Sequence, residues 1–206
     1  MREEIADGYK NRHYRKDNSL HRNCENYPTP ELGPIAKILD INRGNRMLSL
    51  VSFASKGVGM REYIKEKRPE EYSDGLVYRQ GDVVTTLIKC ANGETIRLKL
   101  DTTLPRRYDR EFTARGTKGN FKQTLEAVFL DGDDEWATPE KVINNREKYA
   151  EYLPPVWKNM TEEAKQSGHG GMDGITVGEF IRALKTSGEM PVDVYDAAAW
   201  MSISAL

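Results

Sequence analysis

Apolar positions along this chain come in short periodic runs separated by polar punctuation. Residues 1–29 show no sustained period and read as polar and irregular, with a basic stretch from Lys10 to Arg22. Thr29-Pro30-Glu31-Leu32 then carries helix-opening chemistry: Thr29 as a cap, Pro30 for the first helical position and an acidic first turn. This predicts a helix running to Ile41 and closing before Arg43-Gly44. Met47 to Ala54 (MLSLVSFA) has strand character, and Val58 to Lys67 reads as a short helix ended by Pro69. The clearest local signal is a hairpin. Asp82 to Lys89 and Thr95 to Asp101 are β-rich runs on either side of a Cys90–Glu94 segment that contains Asn92-Gly93. Glu111–Arg115 and Gln123–Leu130 predict two more strands around Gly116-Thr117-Lys118-Gly119. From Pro139 the period turns helical, over 139–150, 156–167, 173–186 and 192–206.

Strands in the middle with helices before and after predict an α+β fold, a mostly antiparallel open sheet with helices packed on one face. A length of 206 residues suits one such domain over 1–206. Both ends read as abrupt: Met1 is followed by no capping signal and no strand opening, and the helical pattern from Val192 stops at Ala205-Leu206. The expectation is a domain truncated at both ends.

Composition narrows the partners. The chain holds 31 basic and 32 acidic residues, a formal net charge of -1, so nothing global calls for nucleic acid or an anionic membrane surface. No stretch approaches the roughly 20 apolar residues of a membrane span. The start, MREEIADGYK, is charged from its second residue and shows no signal peptide, so the compartment is left open. Cys24 and Cys90 stand in unrelated contexts and read as two free thiols.

No GxGxxG follows a strand and no GxxxxGK[ST] occurs, so the chain shows no nucleotide fingerprint of its own. Gly168-His169-Gly170-Gly171 is glycine-dense but falls between two helical segments. It is either a tight interhelical turn or a loop that brings His169 and Asp173 to a cleft. His13, His21 and His169 show no metal spacing with cysteine or carboxylate. No GxSxG marks a serine nucleophile, and carboxylates are too many to single out a glycosidase pair. The acidic run 131–135 lacks the ligand spacing of a calcium loop. In the basic stretch, Lys10, Arg12, Arg15, Lys16 and Arg22 interleave with Tyr9 and Tyr14. That pattern can bind nucleic acid, but on a near-neutral chain it suits a sugar better. Forked arginine donors meet hydroxyls or an acetamido carbonyl, and an aromatic face meets the ring.

Several segments, taken together and in order, resemble a known family. Tyr27-Pro28-Thr29, Leu32-Gly33-Pro34 and Leu39-Asp40-Ile41-Asn42-Arg43-Gly44 look like the YPTH-x-LGP and L-x-INRGD signature of the NAD-dependent glycoside hydrolases of family 109, of α-N-acetylgalactosaminidase type. Thr102 to Tyr108, Arg115 to Gly119 and His169-Gly170-Gly171-Met172-Asp173 are similar to its TLPRPYS, RGTKG and HGGMD segments. The family sits within the glucose–fructose oxidoreductase-like enzymes, which pair an N-terminal Rossmann domain with a C-terminal α+β domain. The resemblance covers the second domain only.

It implies glycosidase chemistry on N-acetylhexosamine-type sugars with a recycled NAD held outside this chain. NAD takes a hydride from C3, a base removes the acidified C2 proton, the aglycone leaves, water adds, and the hydride returns. It implies a sugar site lined by Arg15, Tyr27, Pro28, Thr29, Pro30, Tyr108, His169 and Asp173. Two positions depart from the pattern. Pro30 stands where the family has histidine, and proline can neither donate nor shuttle a proton from its side chain. Gly174 stands where an aromatic usually follows HGGMD. Loss of function and altered substrate choice both fit these departures. The rival expectations are a sugar oxidoreductase of the wider group, and a non-catalytic sugar-binding or oligomerisation module that pairs through an open sheet face. Family members are often exported.

Overall fold

The computed structural model describes residues 1–7 and 14–206. Tyr9, Lys10, Arg12 and His13 of the basic stretch lie outside the described residues. The fold is of the α+β class, with the strands in two antiparallel three-stranded sheets. The described residues form two compact units, Met1–Arg107 with Val194–Leu206, and Tyr108–Asp193.

In the first unit, the stretch expected to be irregular contains two helices, α1 (Arg2–Asp7) and α2 (Tyr14–His21). Each is too short for its period to register in the sequence, and each is held by what it buries and bonds. Ile5 and Ala6 of α1 join Met60, Ile64 and Tyr78 in one buried cluster. Helix α3 spans Thr29–Ile38 and α4 spans Gly59–Lys67. The expected Thr29 cap does not form. Pro28 is the cap, fully buried, and its carbonyl accepts from the Glu31 and Leu32 amides at 3.2 and 2.8 Å. The helix stops three residues before Ile41, because Asp40 and Asn42 take left-handed φ values of 53° and 66°.

Strands β1 (Met47–Ala54), β2 (Val83–Cys90) and β3 (Thr95–Asp101) pair in sequence order. The hairpin between β2 and β3 turns on Gly93, whose φ of 100° favours a residue without Cβ. Alternation sends Val84, Thr86, Ile88, Ile96 and Leu98 inward. Ile88, Cys90, Ile96 and Leu98 meet Leu32 and Ala36 of α3 and Ile203 of helix α9 (Val194–Ala205) in the main core. The opposite face of β1 and β2 leaves Val51, Phe53 and Leu87 exposed, with Val51 directly across from Leu87. Two buried polar groups staple the elements. Asp82, expected as the first residue of a strand, lies just before it. Its carboxylate accepts from the Val58 and Gly59 amides at the start of α4, and from Thr103 Oγ1 at 2.7 Å. Asp196 of α9 takes both ends of the Arg43 guanidinium at 2.8 and 2.9 Å, with Lys37 at 3.3 Å.

In the second unit, β4 (Thr113–Gly116), β5 (Gly119–Lys122) and β6 (Ala127–Leu130) form a meander. The single strand expected over 123–130 is interrupted by a tight turn at Gln123–Leu125, with Glu126 left-handed at φ 49°. The predicted helices 139–150 and 156–167 are broken into short pieces: α5 (Pro139–Val142), α6 (Pro155–Lys158) and α7 (Glu162–Lys165). The cause of the first break is a set of hydrogen bonds to the 125–128 segment. The Asn144 and Arg146 amides bond to the Leu125 and Glu126 carbonyls instead of continuing a helix, and the Asn145 side chain pairs with both the N–H and C=O of Val128. Helix α8 (Met172–Thr186) agrees with its sequence period to within a residue. Among the described residues no helix is long and apolar enough to cross a membrane.

Candidate functional site

The first unit holds a small cavity of about 60 Å³, lined by Ile5, Tyr14, Arg15, Ser19, Asn26, Tyr27, Gln80 and Thr102 among others. Its wall is the loop joining α2 to α3, residues 22–28. This loop has no regular structure of its own and is tied to its neighbours by hydrogen bonds of both backbone and side chains. Asn23 Oδ1 accepts from the Gly81 amide at 2.9 Å, and the Gln80 amide N–H donates to the Ser19 carbonyl at 3.0 Å. The Ser204 hydroxyl of α9 donates to the Glu25 carbonyl at 2.6 Å, while the Arg22 guanidinium donates to the Ser204 carbonyl.

Arg15 and Tyr27 are brought together. The Arg15 guanidinium carbon stands 5.7 Å from the centre of the Tyr27 ring, and Arg15 Nη1 donates to Glu4 Oε2 at 2.9 Å. A side-chain hydrogen bond with Tyr14 is the main influence that holds the guanidinium above its ordinary pKa, against the opposing effect of desolvation. Tyr27 is half exposed, whereas Pro28 next to it in the chain is buried. Thr29 and Pro30, partly buried, begin α3. Two basic residues of this region are paired: Lys16 donates to Glu71 at 3.0 Å and Arg15 to Glu4 at 2.9 Å.

Three residues at this site were not among those that the sequence singled out. Gln80 and Asn26 line the cavity, and Glu25 lies between Asn26 and Cys24 in the loop. Glu25 is 2 % exposed. Its Oε1 accepts from the Tyr27 amide at 3.3 Å, and Oε2 has no hydrogen-bond partner among the described residues. Burial pushes its carboxyl up to about 7, Glu31 adds to the rise, and the Tyr27 N–H works against it. Asn26 could have been suspected from its place beside Tyr27-Pro28-Thr29. Gln80 and Glu25 could not, because nothing in a sequence says that a given polar residue is buried.

Tyr108, His169 and Asp173 belong to the second unit. Tyr108 is largely exposed, and its hydroxyl accepts from Arg110 Nε at 2.9 Å. His169 and Asp173 pair directly: the imidazole Nδ1 lies 2.9 and 3.1 Å from the two carboxylate oxygens. The turn that makes this possible has three left-handed residues in a row, His169, Gly170 and Gly171, with φ values of 56°, 67° and 97°. A side chain at Gly168 would collide with Asp173 Oδ2, since a Cβ there would sit 2.2 Å away. The His169 side chain is 69 % exposed.

Arg15 over Tyr27 thus lies beside side-chain amides and hydroxyls at one small cavity, and the fold around it is of the α+β class. Residues 3–206 match the family model described as "Glycosyl hydrolase 109, C-terminal domain". The chain belongs to this family. It is 38% identical over 202 residues to a glycosyl hydrolase family 109 protein of Stenotrophomonas maltophilia (strain K279a), covering 97% of this chain and 44% of that protein. It is 37% identical over 199 residues to an alpha-N-acetylgalactosaminidase of Tannerella forsythia, covering 96% of this chain and 42% of that protein. A family 109 protein of Parabacteroides distasonis is 38% identical over 194 residues, 94% of this chain and 41% of its own length. The chain thus spans less than half the length of these curated relatives.

Proposed function

We propose that this chain supplies the sugar-binding side of an NAD-dependent glycosidase acting on N-acetylgalactosaminides, and that it does not turn substrate over by itself. The observation that carries this reading is Arg15 set over Tyr27 at the wall of the cavity, with Asn26 and Gln80 alongside. A galactose-type sugar presents an apolar face that an aromatic ring can cover, and hydroxyls and an acetamido group that guanidinium and amide groups can bind. The name of the Tannerella forsythia relative supports the choice of sugar.

The residues present do not fit NAD. Both sheets are antiparallel, and among the described residues no strand leads through a glycine-rich turn into a helix with a parallel return. The one glycine-dense turn, 168–171, joins α7 to α8. In this proposal the dinucleotide is therefore held by protein outside this chain, and the residues here bind and orient the sugar.

The 206-residue chain is expected to bind N-acetylgalactosamine, followed by amide shifts of residues 22–28 in a nuclear magnetic resonance titration. Tyr27→Ala is expected to weaken binding by about tenfold through loss of the ring face. Titration with NAD is expected to show no binding in the micromolar range. Tight NAD binding by this chain would overturn the assignment of the cofactor to other protein, and a Tyr27→Ala variant of unchanged affinity would remove Tyr27 from the site.

A second reading is favoured by the exposed Val51, Phe53 and Leu87 on the open face of β1 and β2, and by proline at position 30. In it the chain is a non-catalytic sugar-binding module that pairs with a second copy through this face. Sedimentation at micromolar concentration is then expected to show a dimer that Phe53→Glu dissociates. A monomer under those conditions sinks this reading and leaves the first intact.

A further inference from the structure

Within the 22–28 loop, only Glu25 and Pro28 are buried. The loop carries no helix or strand, so those two side chains and a few hydrogen bonds pin it to the first unit. An apolar side chain is the ordinary choice for such a pin. Glu25 fills the place instead, and its carboxylate is poorly provided for. Oε1 accepts one N–H, from Tyr27 at 3.3 Å, and Oε2 has no hydrogen-bond partner among the described residues. A neutral carboxyl tolerates such a setting far better than a charged one.

The charged and titratable groups facing Glu25 are few. From α3 the group that acts on it is Glu31, of the same sign. Within the loop its titratable neighbour is the Cys24 thiol, which burial pushes up, Arg22 pulls down and Glu25 pushes up. Arg22 itself is bonded to the Ser204 carbonyl. Helix α9 meets the Glu25 carbonyl with the Ser204 hydroxyl at 2.6 Å, a group that does not ionise. When Glu25 ionises, either the packed elements or the loop must yield to bring the carboxylate to water. Helices α3 and α9 are set in the main core through Leu32, Ala36 and Ile203. The loop has no such anchor, so the loop yields. Tyr27 goes with it, two residues on and bonded to Glu25 through its amide, while Arg15 stays on α2 with Glu4.

We propose that Glu25 is a proton-operated latch on this loop: with its proton the loop stays docked and Tyr27 stays beside Arg15, and without it the loop swings out and the Arg15–Tyr27 contact is lost. The movement of the loop stands by itself, and its effect on ligand binding rests on the reading of the cavity as a sugar site. Burial raises the carboxyl to about 7, so the latch is closed in acid and opens as pH rises past neutrality.

Hydrogen exchange at the Cys24 and Tyr27 amides of the 206-residue chain reads the latch, with Glu25→Gln at the same pH as the reference that cannot ionise. Taking the ratio at one pH cancels the base catalysis of exchange itself. From pH 5 to pH 8 the ratio of wild-type to variant rates is expected to rise by roughly fiftyfold. At pH 8 the wild-type loop amides are expected to ignore low urea, whereas the core amides of Ile88 and Leu98 exchange faster in it, because local opening exposes little surface and unfolding exposes much. A flat ratio overturns the latch. So do loop amides with the same urea dependence as Ile88 and Leu98, since the loop would then open only with the whole unit. Binding of N-acetylgalactosamine is expected to weaken by about fivefold over the same range in the wild type and to stay level in the variant. A rising ratio in a chain that binds no sugar at any pH leaves the latch standing and removes the sugar site. A rising ratio with unchanged affinity overturns the link between loop and ligand. If Glu25→Gln does not fold, Glu25→Met is the reference, with the same expectations.

Discussion

Arg43→Ala is expected to destabilise the chain by roughly 3–5 kcal/mol, because it leaves a buried carboxylate without its main partner. Asp196 is 1 % exposed, and Arg43 meets both of its oxygens in the parallel two-bond geometry that a guanidinium favours. Lys37 stands at 3.3 Å and is itself two-fifths exposed, so it offers a longer and better-solvated contact. The magnitude comes from taking the two-bond partner away from a buried charge and not from the net worth of the pair. The double replacement Arg43→Met with Asp196→Leu is therefore expected to recover most of the loss. Urea unfolding of the wild type, the single variant and the double variant checks this. A single-variant cost below about 1 kcal/mol would show that water reaches Asp196 and that the pair behaves as a surface one.

The second large effect is a dependence of stability on pH that traces to Glu25. In the folded chain its carboxyl titrates near 7, against an ordinary 4.5. Between these values the folded state keeps the proton and the unfolded state has lost it. The folded state binds more protons across that window, so stability falls as pH rises through it. The contribution is fully present below 4.5 and gone above about 7. At 1.36 kcal/mol per unit the fall amounts to about 3 kcal/mol. Glu25→Gln keeps the shape and cannot ionise. It is expected to remove this part of the slope and to be the more stable protein above pH 7 by up to about 3 kcal/mol. Parallel slopes for the two proteins in urea unfolding at stepped pH would refute the assignment. Because Glu25 also receives the Tyr27 amide, the same titration should move the Tyr27 amide resonance.

The parts of the fold that were legible are those where one physical signal dominates. The β2–β3 hairpin announces itself through β-rich runs around Asn92-Gly93. Helix α8 keeps its period from Met172 to Thr186, and the first residues of α3 carry their proline and acid. The family was legible because its short motifs recur in order, although none is specific singly. What was not legible depends on partners distant in sequence. Helices α1 and α2 hold together through Ile5, Ala6 and Ser19, whose contacts come from residues 60–80. The breaks at 123–126 and 143–146 follow from hydrogen bonds between those two turns. At the candidate site, Arg15 and Tyr27 were visible as residue types in a motif. Gln80 and Glu25 matter through burial, which a polar residue does not advertise.

The three successive left-handed residues at 169–171 bear on how this chain can drift over generations. Left-handed backbone costs an ordinary side chain on the order of 1 kcal/mol, and glycine and asparagine escape most of that cost. Position 169 is therefore one where simple selection for stability pulls toward glycine or asparagine. A histidine that persists there in the face of that pull would be kept for its imidazole, and a lineage released from that need should show glycine or asparagine at 169 before it shows any loss of the fold.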